Sequence, residues 1–155
     1  LDASTLNPLV TSYNRILSYA NGSAPDPTGV PAISSLDYDK IGCTGYLDPE
    51  GVVRITAGIS AELLTDIIRT RSKDEVDTVS EIDAFGRSGI AIMRQAGPYH
   101  LTVTTQDFSK IGITGVTDTN LSQILNAINA TADDGSQVNT LLEIQTLVNQ
   151  VTGVI

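Results

Sequence analysis

The chain has 155 residues, 41% hydrophobic and 17% charged, with 13 Gly, 6 Pro and no Trp. That apolar share can fill a packed core, which excludes wholesale disorder; with only 5% aromatic residues, the core has to be built from Ile, Leu, Val and Ala. Nine Lys+Arg against eighteen Asp+Glu leave a net charge of −9 and a pI near 4.3, a surface that repels phosphate backbones and anionic lipid.

Nucleic acid and membrane insertion are therefore excluded as partners. No apolar run reaches the length of a membrane span. One cysteine cannot form an internal disulfide or a multi-Cys metal site. A start without Met and without a signal peptide reads as a processed or excised piece of something longer.

Self-comparison organises the rest. The run Asp37-Tyr38-Asp39-Lys40-Ile41-Gly42-Cys43-Thr44-Gly45 lies 70 positions ahead of Asp107-Phe108-Ser109-Lys110-Ile111-Gly112-Ile113-Thr114-Gly115, and six of the nine pairs are identical. A second block, 76–82, matches 138–144 at an offset of 62. Two ordered matches at different offsets indicate duplication with altered loops.

In chain order, residues 1–20 read as the last helix of a preceding copy. Setting Leu6 against Ile82 brings Ile16-Leu17 onto Ile92-Met93 and Ala20 onto Ala96. Asn7-Pro8 also suits a cap followed by a first-turn proline, although the register match places that helix start earlier. Residues 21–33 are a joint of turn formers. A short helix is predicted at 36–41, with Ser34 and Asp37 at capping-box spacing and Gly42 ending it. The insertion 47–58 carries a β-prone stretch, 51–56, which is a candidate partner for His100-Leu101-Thr102-Val103 in a small two-stranded β-ribbon. A second helix at about 60–70 places Leu63, Leu64, Ile67 and Ile68 on one face. The third, at 78–96, opens with the capping box Thr78-x-x-Glu81; Gly86 and Gly89 inside it either weaken it or admit a close neighbour. The second copy repeats the series at 106–111, 117–130 and 140–152. Its last helix opens with Thr140-x-x-Glu143, and Leu121, Ile124, Leu125 and Ile128 form the buried face of its middle one. The expected fold class is all-α, about six or seven helices in tandem three-helix units. Residues 1–33 belong to a preceding copy and its joint, 34–103 form the first full repeat, and 104–155 form the second, truncated in its last helix.

Chemistry-bearing residues are few. Glu81 and Glu143 resemble paired catalytic carboxylates, but capping accounts for both. His100 is the one histidine and has no second ligand nearby. Cys43 stands where the other copy has Ile113, which reads as a buried inert thiol. Gly42-x-Thr44-Gly45 and Gly112-x-Thr114-Gly115 lack the Lys-Ser/Thr of a phosphate loop and read as turns. Arg69, Arg71 and Lys73, flanked by Asp66, Asp74 and Glu75, read as a solvated, salt-bridged helix end. The candidate metal ligands are Asp133, Asp134, Ser136 and Asn139, an acidic turn whose oxygens suit calcium although its spacing departs from an EF-hand. No other cofactor is indicated. Asn21, Asn120 and Asn129 open glycosylation sequons by pattern.

The combination Asp-Tyr/Phe-x-Lys-Ile-Gly-x-Thr-Gly, Asn-Leu-x-x-Ile-Leu-x-x-Ile and Val-Asp/Asn-Thr-x-x-Glu-Ile resembles the short helical tandem repeats of very large secreted or surface-anchored bacterial proteins. It covers about two-thirds of the chain. The resemblance implies an all-α spacer or display module of an adhesin, fibre or surface layer, located outside the cell, and it carries no catalytic residues. The expectation is a non-catalytic module that associates with neighbouring repeats or identical subunits. The alternative is a ligand-binding module, calcium-assisted, that recognises a host protein or glycan through a face near Tyr13, Tyr19, Tyr46 and Tyr99. An enzyme finds no support beyond scattered carboxylates.

Overall fold

The computed structural model describes residues 3–20, 33–48, 55–98 and 101–153, and these are all helix, turn and irregular chain with no strand among them. Among the described residues, seven α-helices follow one another: α1 (Ala3–Ser18), α2 (Ser35–Lys40), α3 (Ala57–Arg69), α4 (Val79–Met93), α5 (Thr105–Lys110), α6 (Leu121–Asn129) and α7 (Leu141–Thr152). Short 3-10 turns lie at Lys73–Glu75 and Arg94–Ala96, the latter continuing α4. Most of the expected β-ribbon falls on residues outside those described; Ile55-Thr56 and 101–103 are irregular chain.

Local chemistry explains the starts. The Thr78 hydroxyl accepts from the Glu81 amide at 3.2 Å, and the Glu81 carboxylate accepts from the Thr78 amide at 3.1 Å, a complete capping box. Thr140 accepts from the Glu143 amide at 3.1 Å, but Glu143 takes the Thr140 hydroxyl at 3.0 Å instead of returning to the cap amide. Three starts differ from the local signals: α3 begins three residues early, at Ala57, because the Thr56 hydroxyl caps it by accepting from the Ile59 amide at 3.4 Å. Helix α1 runs through Pro8, so Asn7-Pro8 is not its cap; the register match to α4 outweighs the one backbone bond that proline removes. Helix α6 begins four residues late because Thr117 and Asn120 close a turn of their own, with Thr117 N–H donating to Asn120 Oδ1 at 2.8 Å.

The packing alternates. Helix α2 lies against α1 and α5 against α4; α3 lies against α4 and α6 against α7. One continuous apolar core runs from Ile16 to Val148. Ile82, Ile92 and Ile144 are fully buried within it, each contributing about 1.5–3 kcal/mol. Tyr38 and Tyr46 meet at 5.3 Å with their rings tilted by 52°. Gly86 and Gly89 are approach points rather than weak points. A Cβ on Gly86 would lie 2.9 Å from Tyr46 Cβ and 3.0 Å from its amide nitrogen, and one on Gly89 would lie 3.2 Å from Leu63.

Candidate functional site

Two pairs of polar clasps join the helices, the first reaching into the core at Ser12, Asp37 and Ser88. At the N3 position of α2, Asp37 is almost wholly buried. Its Oδ2 accepts from the Ser34 amide at 3.0 Å, which caps its own helix. Its Oδ1 accepts from the Ser12 hydroxyl and from Arg15, both at 2.8 Å, which ties α2 to α1. At the same place in α5, Asp107 accepts from the Thr104 amide at 2.9 Å and from the Ser88 hydroxyl of α4 at 3.0 Å. One carboxylate thus caps one helix and docks it on the helix before.

The second clasp grips the turn after each short helix. Gly42 and Gly112 take φ of 80° and 91°, a left-handed geometry that only glycine adopts at little cost. The next amide folds back, Cys43 onto the Tyr38 carbonyl and Ile113 onto the Phe108 carbonyl, both at 2.9 Å. The Asp83 carboxylate of α4 then accepts from the Thr44 amide at 3.1 Å and the Gly45 amide at 2.6 Å. In α7, Gln145 accepts from the Thr114 amide at 2.9 Å and donates to the Thr114 carbonyl at 3.0 Å. Burial alone would raise the Asp83 carboxyl, but the Gly45 amide, Arg87 and the Thr44 amide outweigh it and hold it below the ordinary aspartate value. The Cys43 thiol is buried beside it, and desolvation, reinforced by the Asp83 charge, pushes it up to about 12.

An open cleft of about 480 Å³ lies between α2, α3 and the start of α7, lined among others by Tyr19, Ser34, Glu62, Thr65, Asp66, Arg69 and Thr140. Its acids have structural partners. Asp66 accepts from the Leu141 amide at 2.7 Å, and Glu62 accepts from the Asn139 side chain. Both carboxylates face the amide-rich start of α7, where negative charge is stabilising. The Arg69 guanidinium sits 5.0 Å from the centre of the Tyr19 ring. The Tyr19 hydroxyl is buried without a hydrogen-bond partner. At the cleft's edge the Thr140 hydroxyl donates to the Glu143 carboxylate at 3.0 Å, the pair that opens α7.

The residues singled out in the sequence sit as follows. Asp134 accepts from the Ser136 amide at 3.0 Å, and bonds from Ser136 hold its exposed carboxyl below the usual range. Asn139 turns to Glu62, and Gly135 takes φ of 77° above Met93. Among the described residues, no three His, Cys, Asp or Glu side chains cluster. The basic run is salt-bridged as expected, Arg71 to Glu75 at 3.8 Å, and Arg71 also donates to the last carbonyl of α5, at Lys110, and stacks 5.1 Å from the Phe85 ring. Tyr46 and Tyr19 are buried, so neither belongs to an exposed aromatic face. Tyr99, His100 and Asn21 lie outside the described residues. Sequence reading missed the Asp48–Arg94 ion pair, in which both side chains are nearly buried. It also missed the reach of Asp37 and Asp66 to neighbouring helices. The available signal was Ser12 and Ser88, polar residues at one register position of otherwise apolar helix faces.

No protein-family model, no curated protein and no solved structure matches this chain.

Proposed function

We propose that this chain is a non-catalytic structural segment of a secreted or surface-displayed bacterial protein, built from tandem three-helix units that extend as an array. The observation that carries the reading is the equivalence of the clasps. Ser12–Asp37 is matched by Ser88–Asp107, and Asp83 on Thr44-Gly45 is matched by Gln145 on Thr114. The recurring polar side chains are consumed in joining each helix to the next, which is how a repeat array transmits its geometry. The location outside the cell rests on the motif resemblance.

The test is to insert further copies of residues 36–105 after Thr105 and to measure particle length by small-angle scattering. Each copy adds a constant increment of length at constant helicity per residue. Particles that grow as compact globules, or lose helicity, overturn the reading. A second reading, binding of a small polar ligand or glycan, is favoured by the unpartnered Tyr19 hydroxyl in its cleft. A glycan array or a titration followed by Tyr19 chemical shifts tests it, and Tyr19→Phe would abolish any binding found.

A further inference from the structure

The first helix carries the register of a clasp on a face that the described chain leaves open. Positions 6, 82 and 144 are Leu, Ile and Ile; positions 10, 86 and 148 are Val, Gly and Val. In α4 and α7 these positions are buried, under α3 and the Tyr46 turn in one case and under α6 and the Gly115 turn in the other. In α1, Leu6 is 42% exposed and Val10 44% exposed. Between them, Asn7 occupies the position of Asp83 and Gln145, the two side chains whose oxygens accept from a threonine amide of the Gly-x-Thr-Gly turn. Asn7 offers the same carbonyl acceptor and is exposed. Further along, Ser12, Ile16 and Ala20 are buried like Ser88, Ile92 and Ala96, so α1 shares the register of α4 through its whole second half.

We infer that Leu6, Asn7 and Val10 form a docking face for a helical unit of this same class: a Lys-Ile-Gly-x-Thr-Gly turn followed by an apolar helix. This deepens the repeat reading and rests on it. The occupant is not a second intact copy of this chain. Both of its turn-and-helix pairs, the 42–45 turn with α3 and the 112–115 turn with α6, are already closed on α4 and α7. An apolar pair flanking one amide-accepting oxygen matches such a turn better than a generic apolar surface, because the equivalent oxygens of Asp83 and Gln145 each accept the threonine amide of one Gly-x-Thr-Gly turn.

The test joins residues 104–138 ahead of Leu1 of the full chain, which sets α1 in the register of α7, and uses Val10→Cys as the probe. In the parent chain the thiol introduced at position 10 reacts freely with a thiol reagent. In the extended chain it reacts at least tenfold more slowly, the factor that corresponds to about 1.4 kcal/mol of docking. Asn7→Ala or Leu6→Asp in the extended chain restores fast labelling, while the parent carrying either change keeps its helicity. If the added segment becomes helical and the introduced thiol still reacts at the parent rate, the docking face is refuted and the repeat reading stands. If the added segment gains no helicity, both fall. Protection in the parent alone that rises with protein concentration makes a second copy the occupant and also refutes the inference.

Discussion

Replacing Asp37 by alanine removes a carboxylate that satisfies three donors at once. The Ser12 hydroxyl, 2% exposed, is left without a partner in the core, a desolvation cost of about 1–3 kcal/mol. The Ser34 amide loses its side-chain acceptor but is exposed and can take water, so that cap contributes about 0.5–1 kcal/mol. The Arg15 pair at 2.8 Å has an arginine 25% exposed, worth about 0.5 kcal/mol. Asp37→Ala is therefore expected to destabilise the chain by about 2–4 kcal/mol in urea unfolding followed by far-ultraviolet circular dichroism. A double-mutant cycle with Ser12→Ala separates docking from capping and should give a coupling of about 1 kcal/mol or more. The parallel cycle, Asp107→Ala with Ser88→Ala, should give coupling of the same sign. A loss below about 0.5 kcal/mol, the range of a surface substitution, or zero coupling in either cycle, refutes the dual role of these aspartates.

Three further outcomes are expected. Gly86→Ala gains helix propensity of about 1 kcal/mol, yet its new Cβ meets Tyr46 backbone at 3.0 Å, so it should destabilise the chain by about 1–2 kcal/mol; Gly58→Ala, whose nearest neighbour is Thr56 Oγ1 at 3.9 Å, should be neutral or stabilising by up to about 1 kcal/mol. The folded-state pKa of Asp83 lies below the ordinary 3.8, so its clasp stabilises the fold fully above that value, and this contribution is lost as pH falls through the folded-state pKa; Asp83→Asn should flatten the pH dependence of the urea midpoint in that acidic window. Cys43, raised to about 12 and buried, should be inert to thiol reagents at pH 8 in the folded chain and react at once in denaturant.

The helices and their caps were legible because they rest on local signals: Thr-x-x-Glu, the glycine after Ile41 and Ile111, and the periodicity of α3 and α6. Long-range docking was not. Asp37 and Asp107 satisfy a capping rule so well that their second bonds, across 25 and 19 residues, leave no mark in local spacing. Asp66 reads as one of several surface acids until α7 is brought to it, 75 residues away. At α1 two signals compete, the local cap pattern Asn7-Pro8 and the register match to α4, and the helix follows the register, burying Ile16, Tyr19 and Ala20. The acidic turn at 133–136 stands out in the sequence by composition, whereas the bonds of Asp134 to the Ser136 amide and of Asn139 to Glu62 are not legible there.

Excision of residues 36–105 tests most directly whether the chain is an array of interchangeable units. The cut joins Ser35 to Gln106, places α1 before α5 in the register of α4, and offers Ser12 to Asp107. The shortened chain should fold with a single cooperative transition, and Ser12→Ala should couple to Asp107→Ala as Ser88→Ala does in the parent. A shortened chain that is unfolded, or one that folds with no coupling between Ser12 and Asp107, would contradict it.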